Sequence, residues 1–208
     1  MRFLCVSDTH GVTPDGLPEG RFDAILHAGD VDNTRTLRRM ERMARRRMFP
    51  LLYVRGNHDA GLADSEATID LSGRAVRVAD RLVVAGIGCA LPGELLPTEE
   101  DIAGACAVTM ASVRTIAQTG DRLILLSHYP PALSGSNAYS SRSGEVFSNS
   151  VGSVVRELMP LAVIHGHIHA LQLHQEAWRG TLVACAGPDW GLLVIDVERG
   201  LATYCPWV

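Results

Sequence analysis

The sequence predicts a layered α/β fold, and two observations lead to that prediction. Short, β-branched apolar runs recur along the chain, and continuous apolar runs of this length are typical of strands buried on both faces. Helical stretches lie between these runs, and such alternation is the pattern of layered α/β domains. The chain has 208 residues, of which 47% are hydrophobic and 20% charged. We therefore expect a single domain over residues 1–208, with a sizeable core.

The predicted elements follow from local patterns. Strands are predicted at residues 3–6, 24–26, 51–54, 81–86, 123–126 and 161–164. A first helix, residues 33–49, carries apolar side chains at helical spacing and ends before Pro50. A second helix opens at Thr98 with an acidic first turn and runs to about residue 118, and a third spans residues 148–158. The tail has shorter connections, which predicts antiparallel strands at residues 171–177, 181–185, 191–197 and 201–204.

Composition excludes several classes of function. All 19 basic residues are arginine, so no mechanism that needs a lysine amine is available, including Schiff-base chemistry and the lysines of P-loop enzymes and protein kinases. The net charge of −4 argues against general nucleic-acid binding without excluding it. The five cysteines form no CxxC pair, which favours free thiols and a cytoplasmic location. The sequence has no stretch of about 18 apolar residues, so we expect no membrane span and no membrane partner. The oligomeric state does not follow from the sequence.

Polar residues that can perform chemistry follow the predicted strands, one cluster per strand. The clusters lie at residues 7–10, 27–30, 55–59, 127–130 and 165–169. Loops beyond the carboxyl ends of parallel strands share one edge of a sheet, where α/β folds bind ligands. Clusters of Asp, His and Asn without thiolates suit metal ions of intermediate hardness. Asp8 or Asp30 alone could be a turn cap, but capping does not explain five such clusters, so we interpret them as a metal site.

Five sequence blocks, taken in order, carry a family resemblance. They are Asp-x-His from Asp8, Gly-Asp ending at Asp30, Gly-Asn-His-Asp over residues 56–59, a strand-terminal His128, and Gly-His-x-His ending at His169. In this order they resemble the calcineurin-like metallophosphoesterase superfamily, and they span most of the chain. The resemblance implies an α/β fold built as a β-sandwich of two mixed sheets flanked by helices.

The resemblance also implies roles and a cofactor. Asp8, His10 and His169 would hold one divalent metal ion, and Asn57, His128 and His167 a second, with Asp30 bridging the two. The ligand set suits Mn, Fe, Zn or Ni. His58 would be a catalytic histidine outside the ligand set, which assists the leaving oxygen. Asp59 would orient His58 by accepting its second ring proton.

The implied activity is hydrolysis of a phosphate ester by metal-bound hydroxide. The chain most resembles small bacterial-type phosphodiesterases, because it retains His58, which favours a leaving group that needs acid assistance. Residues 31–33 after Asp30 lack the arginine of protein serine/threonine phosphatases. The alternatives are a phosphomonoesterase, a nuclease, or a non-catalytic interaction module.

Other features allow two interpretations each. Arg55 could contact substrate phosphate or pair with a structural aspartate. Seven arginines lie from Arg35 to Arg47. The usual interpretation is a solvent-exposed helix face, and the more specific alternative is a patch that binds an anion such as a nucleotide or nucleic acid. The serine-rich segment 133–150 could be surface or a lid carrying Asn137, Tyr139 or Arg142; we expect it and the surface insertion at residues 88–97 to determine specificity. His27, His165 and His174 match no motif and are expected to be packing or surface residues.

Overall fold

The computed structural model describes residues 1–63, 68–139 and 147–207. In chain order the elements are β1 (Arg2–Val6), β2 (Ala24–His27), α1 (Thr34–Arg46), β3 (Leu51–Tyr53), β4 (Thr68–Asp70), β5 (Arg74–Ala79), β6 (Leu82–Ile87), α2 (Glu99–Ile116), β7 (Arg122–Ser127), α3 (Asn149–Leu158), β8 (Ala162–His165), β9 (Gln175–Trp178), β10 (Thr181–Cys185), β11 (Gly191–Asp196) and β12 (Leu201–Pro206). Short 3-10 turns lie at Pro92–Glu94 and His169–Leu171.

The strands form two mixed sheets of six strands each. The first sheet has the order β12-β11-β1-β2-β3-β4 and the second β5-β6-β7-β8-β10-β9. The central pairs of both sheets are parallel, for example β1 with β2 and β7 with β8. Antiparallel pairs lie at three of the four ends, as in the pairing of β11 with β12 and of β9 with β10, whereas β4 pairs with β3 in parallel. This is the predicted β-sandwich of two mixed sheets.

Three apolar clusters hold the layers together. The inner faces of the two sheets pack on each other through residues such as Phe3, Val84 and Leu126. The outer face of the first sheet packs on α1, and the outer face of the second packs on α2 and α3. Successive residues of β1 serve both sides, since Phe3 lies in the inner cluster and Leu4 in the cluster with α1. The sequences of the central strands are therefore continuous apolar runs, because neither face of these strands is exposed to water.

The three predicted helices are confirmed, and their ends have identifiable caps. The Asn33 side chain accepts a hydrogen bond from the Thr36 amide at 2.9 Å and begins α1. Thr98 and Asp101 form the reciprocal capping box that begins α2. The third helix ends at Met159, which adopts a left-handed conformation (φ 44°) before Pro160.

Part of the strand prediction needs correction. Neither β4 nor β5 is predicted; β5 is an edge strand that exposes Arg74 and interrupts its apolar residues with Arg77, so it lacks a continuous apolar run. The predicted strand 171–177 is in part the 3-10 turn, and β9 begins only at Gln175. The tail is not wholly antiparallel either, because β10 pairs in parallel with β8. Within the described residues, no helix combines the length and apolar character that crossing a bilayer would require.

Candidate metal centre

The predicted site residues lie together where the carboxyl ends of strands from both sheets meet. The loop after β1 packs on the loop after β2, since the Asp8 amide donates to the Gly29 carbonyl and the His10 amide to the Asp30 carbonyl. The second sheet joins this edge because the amide of His167 donates to Oδ1 of Asp8 at 3.0 Å. Asp8 and His167, which are 159 positions apart in sequence, are therefore neighbours in the fold.

The first cluster contains Asp8, His10 and His169. The two histidine Nε2 atoms are 3.3 Å apart, and Nε2 of His169 lies 3.7 Å from Oδ1 of Asp8. One ligand atom from each of the three residues lies within 4.8 Å of the others. This set is the one that the sequence assigns to the first metal ion.

The second cluster centres on Nε2 of His128. That atom lies 3.2 Å from Oδ1 of Asn57 and 3.2 Å from Nδ1 of His167. Oδ2 of Asp30 is 3.5 Å away. The structure thus brings together Asn57, His128 and His167, the set assigned to the second ion, with Asp30 beside it.

The hydrogen bond of the His128 ring tests whether this cluster fits a cation. Its Nδ1 is 2.9 Å from the Ala28 carbonyl oxygen, which can only accept, so Nδ1 carries a proton and donates it. In the neutral ring, Nε2 then presents a lone pair toward the carboxylate of Asp30. Burial lowers the pKa of His167 to about 4, with a further contribution from His128, so this second ring is neutral near pH 7. Lone pairs converging on a carboxylate in a buried place are the donor set that a divalent cation satisfies.

Asp30 lies between the two clusters. It groups with Asp8 and His128 on one side, and with His10 and His58 on the other. Its side chain is almost fully buried, and its Oδ1 accepts the amide of His58 at 3.1 Å. The position is the one expected of a carboxylate that bridges two ions.

The backbone at the candidate ligands adopts a conformation that costs energy. Asp8, His10, Asp30 and His167 have φ values of 52°, 44°, 57° and 71°, in the left-handed region. Non-glycine residues in this region are uncommon and cluster at functional sites. The backbone is also tightly packed at Gly166, where a Cβ atom would overlap Oγ of Ser7 and lie 2.6 Å from Oδ2 of Asp8.

Asp59 has contacts other than the expected ones. Its carboxylate is buried and accepts three backbone amides, from Asp30 at 2.8 Å, Asp32 at 2.9 Å and Gly56 at 2.9 Å. Burial raises the pKa of this carboxyl; the amides of Gly56 and Asp32 and nearby His128 oppose that rise, whereas the charge of Asp30 adds to it. Asp59 thereby holds the loops after β2 and β3 together, and the expected hydrogen bond to the ring of His58 is replaced by these backbone contacts.

Among the described residues, Asp32 places a carboxylate beside His58 that sequence reasoning missed. Oδ1 of Asp32 lies 3.9 Å from Nδ1 of His58 and 3.4 Å from Nδ1 of His10. The His58 side chain is 39% exposed, and its ring meets that of His10 edge-on at 5.3 Å. Asp32 matches none of the five blocks, and its only signal in the sequence is its place two residues after Asp30.

Arg55 has structural contacts. Its Nε donates to Oδ2 of Asp70 at 2.7 Å, and Nη1 donates to the Leu62 carbonyl at 3.1 Å. These contacts match the second of the two interpretations, a pair with a structural aspartate. The guanidinium ties the loop after β3 to β4.

Two histidines outside the motifs are buried. Burial lowers the pKa of His27 to about 3 and that of His165 to about 4, so both rings are neutral. Nε2 of His27 lies 3.1 Å from Oγ1 of Thr9, and Nε2 of His165 lies 3.0 Å from the Tyr139 hydroxyl. Both are packing residues, as the sequence predicts, and His174 lies at the surface.

The lid interpretation of segment 133–150 needs correction at Tyr139. This side chain is fully buried in the cluster beneath α2 and α3, so it cannot cover a substrate. Glu176 of β9 anchors the preceding turn by accepting the amides of Asn137 and Ala138 and the hydroxyl of Ser136. Asn137 is exposed, and Arg142 lies outside the described residues. In the other predicted surface insertion, Leu95 and Leu96 are each 63% exposed.

Comparison with known proteins agrees with this fold and site. The family model for the calcineurin-like phosphoesterase superfamily domain matches residues 1–192. No curated protein matches the chain. Among solved structures, the Thermus thermophilus protein TT1561 is similar over 99% of this chain and 98% of its own, with a TM-score of 0.60 and 17% identity.

Two further structures share the fold. The phosphopantetheinyl hydrolase PptH of Mycobacterium tuberculosis matches with a TM-score of 0.56 and 15% identity, over 89% of each chain. A Staphylococcus aureus protein provisionally assigned as a 5'-nucleotidase has a TM-score of 0.56 and 14% identity, over 99% of this chain and 52% of its own. The family model covers nearly the whole chain, and the paired clusters provide candidate metal ligands. The chain therefore belongs to the calcineurin-like phosphoesterase superfamily, and it is a metal-dependent phosphoesterase.

Proposed function

We propose that this protein hydrolyses a phosphodiester with the aid of two divalent metal ions. The observation that carries the proposal is the sharing of Asp30 between two clusters of donor atoms. Asp8, His10 and His169 would hold one ion, Asn57, His128 and His167 the other, and Asp30 would bridge them. When bound, the ions would supply a water of lowered pKa and would neutralise charge on the phosphoryl oxygens.

His58 supports the choice of a diester. It lies at the rim of the site, about two-fifths exposed, and can reach a substrate bound over the clusters. A proton on its ring could pass to the oxygen of the leaving group, which an alkoxide needs more than a phenoxide does. Asp32, whose Oδ1 lies 3.9 Å from Nδ1 of His58, would stabilise a positive charge on the ring by electrostatic attraction. The hydrolase names of two similar structures fit a phosphate ester without choosing between diester and monoester.

The thiols support the proposal of a reducing, cytoplasmic compartment. All five cysteines are free, and Cys5, Cys106 and Cys185 are buried. Burial raises the pKa of Cys106 to about 12, which keeps this thiol protonated and unreactive. Imaging of the tagged full chain in its host would test the location.

The test uses metal-stripped protein and two chromogenic substrates, bis(4-nitrophenyl) phosphate and 4-nitrophenyl phosphate. We expect Mn²⁺ to restore hydrolysis of the diester to a higher kcat/KM than that of the monoester, and Fe²⁺, Zn²⁺ and Ni²⁺ provide the comparison of metals. A preference for the monoester would overturn the diester assignment and leave the two-metal site standing. A lack of metal binding to the stripped protein would overturn both.

A further inference from the structure

Two cavities lined by arginines lie along α1, beside the candidate metal centre. A cavity of about 480 Å³ is lined by Arg39, Arg42, Arg46 and Arg47, with Leu17 and Met43 contributing apolar surface. A second cavity, of about 420 Å³, is lined by Arg35 and Arg39 together with Gly11, Thr13 and Asn33. Arg39 lines both cavities, and we call the two together the arginine groove.

The charge of the arginine groove is not neutralised within the part of the chain that the structure describes. There, Arg35, Arg39, Arg42 and Arg46 are exposed and have no carboxylate within 4.0 Å. An ion pair within this helix joins Arg45 to Glu41 at 3.7 Å, and Arg45 does not line the groove. Arg47 donates to the Gly20 carbonyl, which leaves its charge uncompensated.

Such a row of arginines works against helix stability. Arg35 and Arg39, and again Arg42 and Arg46, are like charges at the i,i+4 spacing, which destabilises a helix. Arg35 also lies in the first turn, where the helix dipole favours acidic residues and α1 has none. Arg45 and Arg46 in the last turn suit the dipole. A solvent-exposed helix face needs charged residues, but it does not need like charges at the i,i+4 spacing or a basic residue in the first turn. We therefore interpret the groove as an anion-binding site.

The groove adjoins the proposed active site through two short connections. The loop that carries Asp8 and His10 continues directly into Gly11, which lines the groove. Asn33, another lining residue, follows Asp32, whose carboxylate faces His10. The hydroxyl of Thr36 donates to the Gly11 carbonyl at 2.8 Å and fixes the loop to α1. A ligand bound across the two clusters could therefore extend into the groove.

We propose that the arginine groove binds a second phosphate group of the substrate, which would be a small ester of nucleotide size with two or more phosphates. The inference rests on the proposed function for its link to the scissile ester. Guanidinium groups bind phosphate through paired hydrogen bonds, and each cavity has the volume of a small-molecule site. Single-stranded nucleic acid is usually bound by stacking on aromatic side chains, and the described residues that line the groove include none.

The test compares the binding of ADP and AMP to the metal-loaded full chain by calorimetry, because their difference isolates the second phosphate. We expect the wild type to bind ADP at least about tenfold more tightly than AMP, the cost expected for losing one charged hydrogen-bonded contact. The double variant Arg39→Gln/Arg42→Gln should bring this ratio close to one. The matched control Arg38→Gln/Arg45→Gln removes the same charge from the same helix outside the groove and should keep the ratio. Glutamine has nearly the helix propensity of arginine, so both variants should fold.

Three results would overturn the proposal: equal binding of ADP and AMP by the wild type, equal losses in the two double variants, or salt-sensitive binding of a single-stranded oligonucleotide without preference for ADP. Hydrolysis of bis(4-nitrophenyl) phosphate, which has a single phosphate, separates this proposal from the proposed function. A wild type that hydrolyses this diester but does not prefer ADP refutes the groove alone. A preference for ADP without any ester hydrolysis supports the groove and refutes the diesterase.

Discussion

Oδ1 of Asp32 lies 3.9 Å from Nδ1 of His58, at the exposed rim of the candidate metal centre. The same oxygen is 3.4 Å from Nδ1 of His10, a proposed ligand of the first ion. A single carboxylate thus faces a proposed ligand and the proposed acid. Carboxylates placed behind ligating or catalytic histidines fix the tautomer and the ring orientation.

The first prediction concerns Asp32→Asn. The amide would keep the shape of the side chain and remove its charge, so the His58 ring would lose the group that orients it. We expect kcat for the diester to fall about 10-fold or more, the range observed for such supporting residues.

The control for this variant is Asp80→Asn, an exposed aspartate in the turn between β5 and β6. It should leave kcat as in the wild type. An Asp32→Asn enzyme with an unchanged kcat would mean that Asp32 does not support the ring of His58.

The second prediction separates the roles of His58 and Asp30. His58→Ala should retain two metal ions per chain and lose rate about 10²-fold or more, within the range of general acid catalysis. Asp30→Ala should lose metal as well as activity, because Asp30 adjoins both clusters. Metal content by mass spectrometry and rates on a diester with an alkoxide leaving group would be measured on the same samples. Loss of metal from His58→Ala would mean that His58 is a ligand, in agreement with its position beside His10 and Asp30.

Sequence reasoning located the candidate site because its residues follow buried strands in recognisable blocks. Asp8 and His169 could be placed together from such blocks, since parallel strands bring their carboxyl ends to one edge. It could not determine which carboxylate faces His58, because Asp59 and Asp32 are both near in sequence and only the folded loop directs Asp59 to backbone amides. It missed β5, whose apolar residues are interrupted by an arginine.

The third prediction tests how closely the second sheet packs on Asp8. In Gly166→Ala the new methyl group would overlap Oγ of Ser7 and press on Oδ2 of Asp8. We expect the affinity for the first metal ion to fall and the activity to fall with it, while added Mn²⁺ partly restores the rate.

The control is Gly104→Ala in α2, where a Cβ atom meets open space. This variant should keep full activity and raise the free energy of unfolding by about 0.5–1 kcal/mol. Normal metal affinity in Gly166→Ala would show that the edge of the site adapts to the added methyl group.

The fourth prediction distinguishes a buried Tyr139 from a lid residue. In Tyr139→Phe, Nε2 of the buried His165 loses its hydroxyl partner. An unsatisfied buried polar group costs about 1–3 kcal/mol, and we expect that loss in the free energy of unfolding by urea, with KM and kcat close to those of the wild type. A raised KM with unchanged stability would restore the interpretation of Tyr139 as a substrate-covering residue.

The fifth prediction uses acid to probe the link between β5 and the turn before β7. Nη2 of Arg77 lies 2.6 Å from Oδ2 of Asp121. The Arg77 guanidinium, with the Gln118 amide, lowers the pKa of Asp121 to about 2, from its ordinary value of 3.8. A depressed pKa stabilises the fold at pH values above the ordinary pKa, and this stabilisation is lost as the pH falls from about 3.8 to about 2.

Arg77→Gln should therefore lower the urea midpoint at pH 7, and the difference from the wild type should shrink at pH 2.5. Arg74→Gln, on the same strand and without a carboxylate partner in the described residues, should show neither change. A difference between Arg77→Gln and the wild type that stays constant between the two pH values would mean that the guanidinium acts by packing alone.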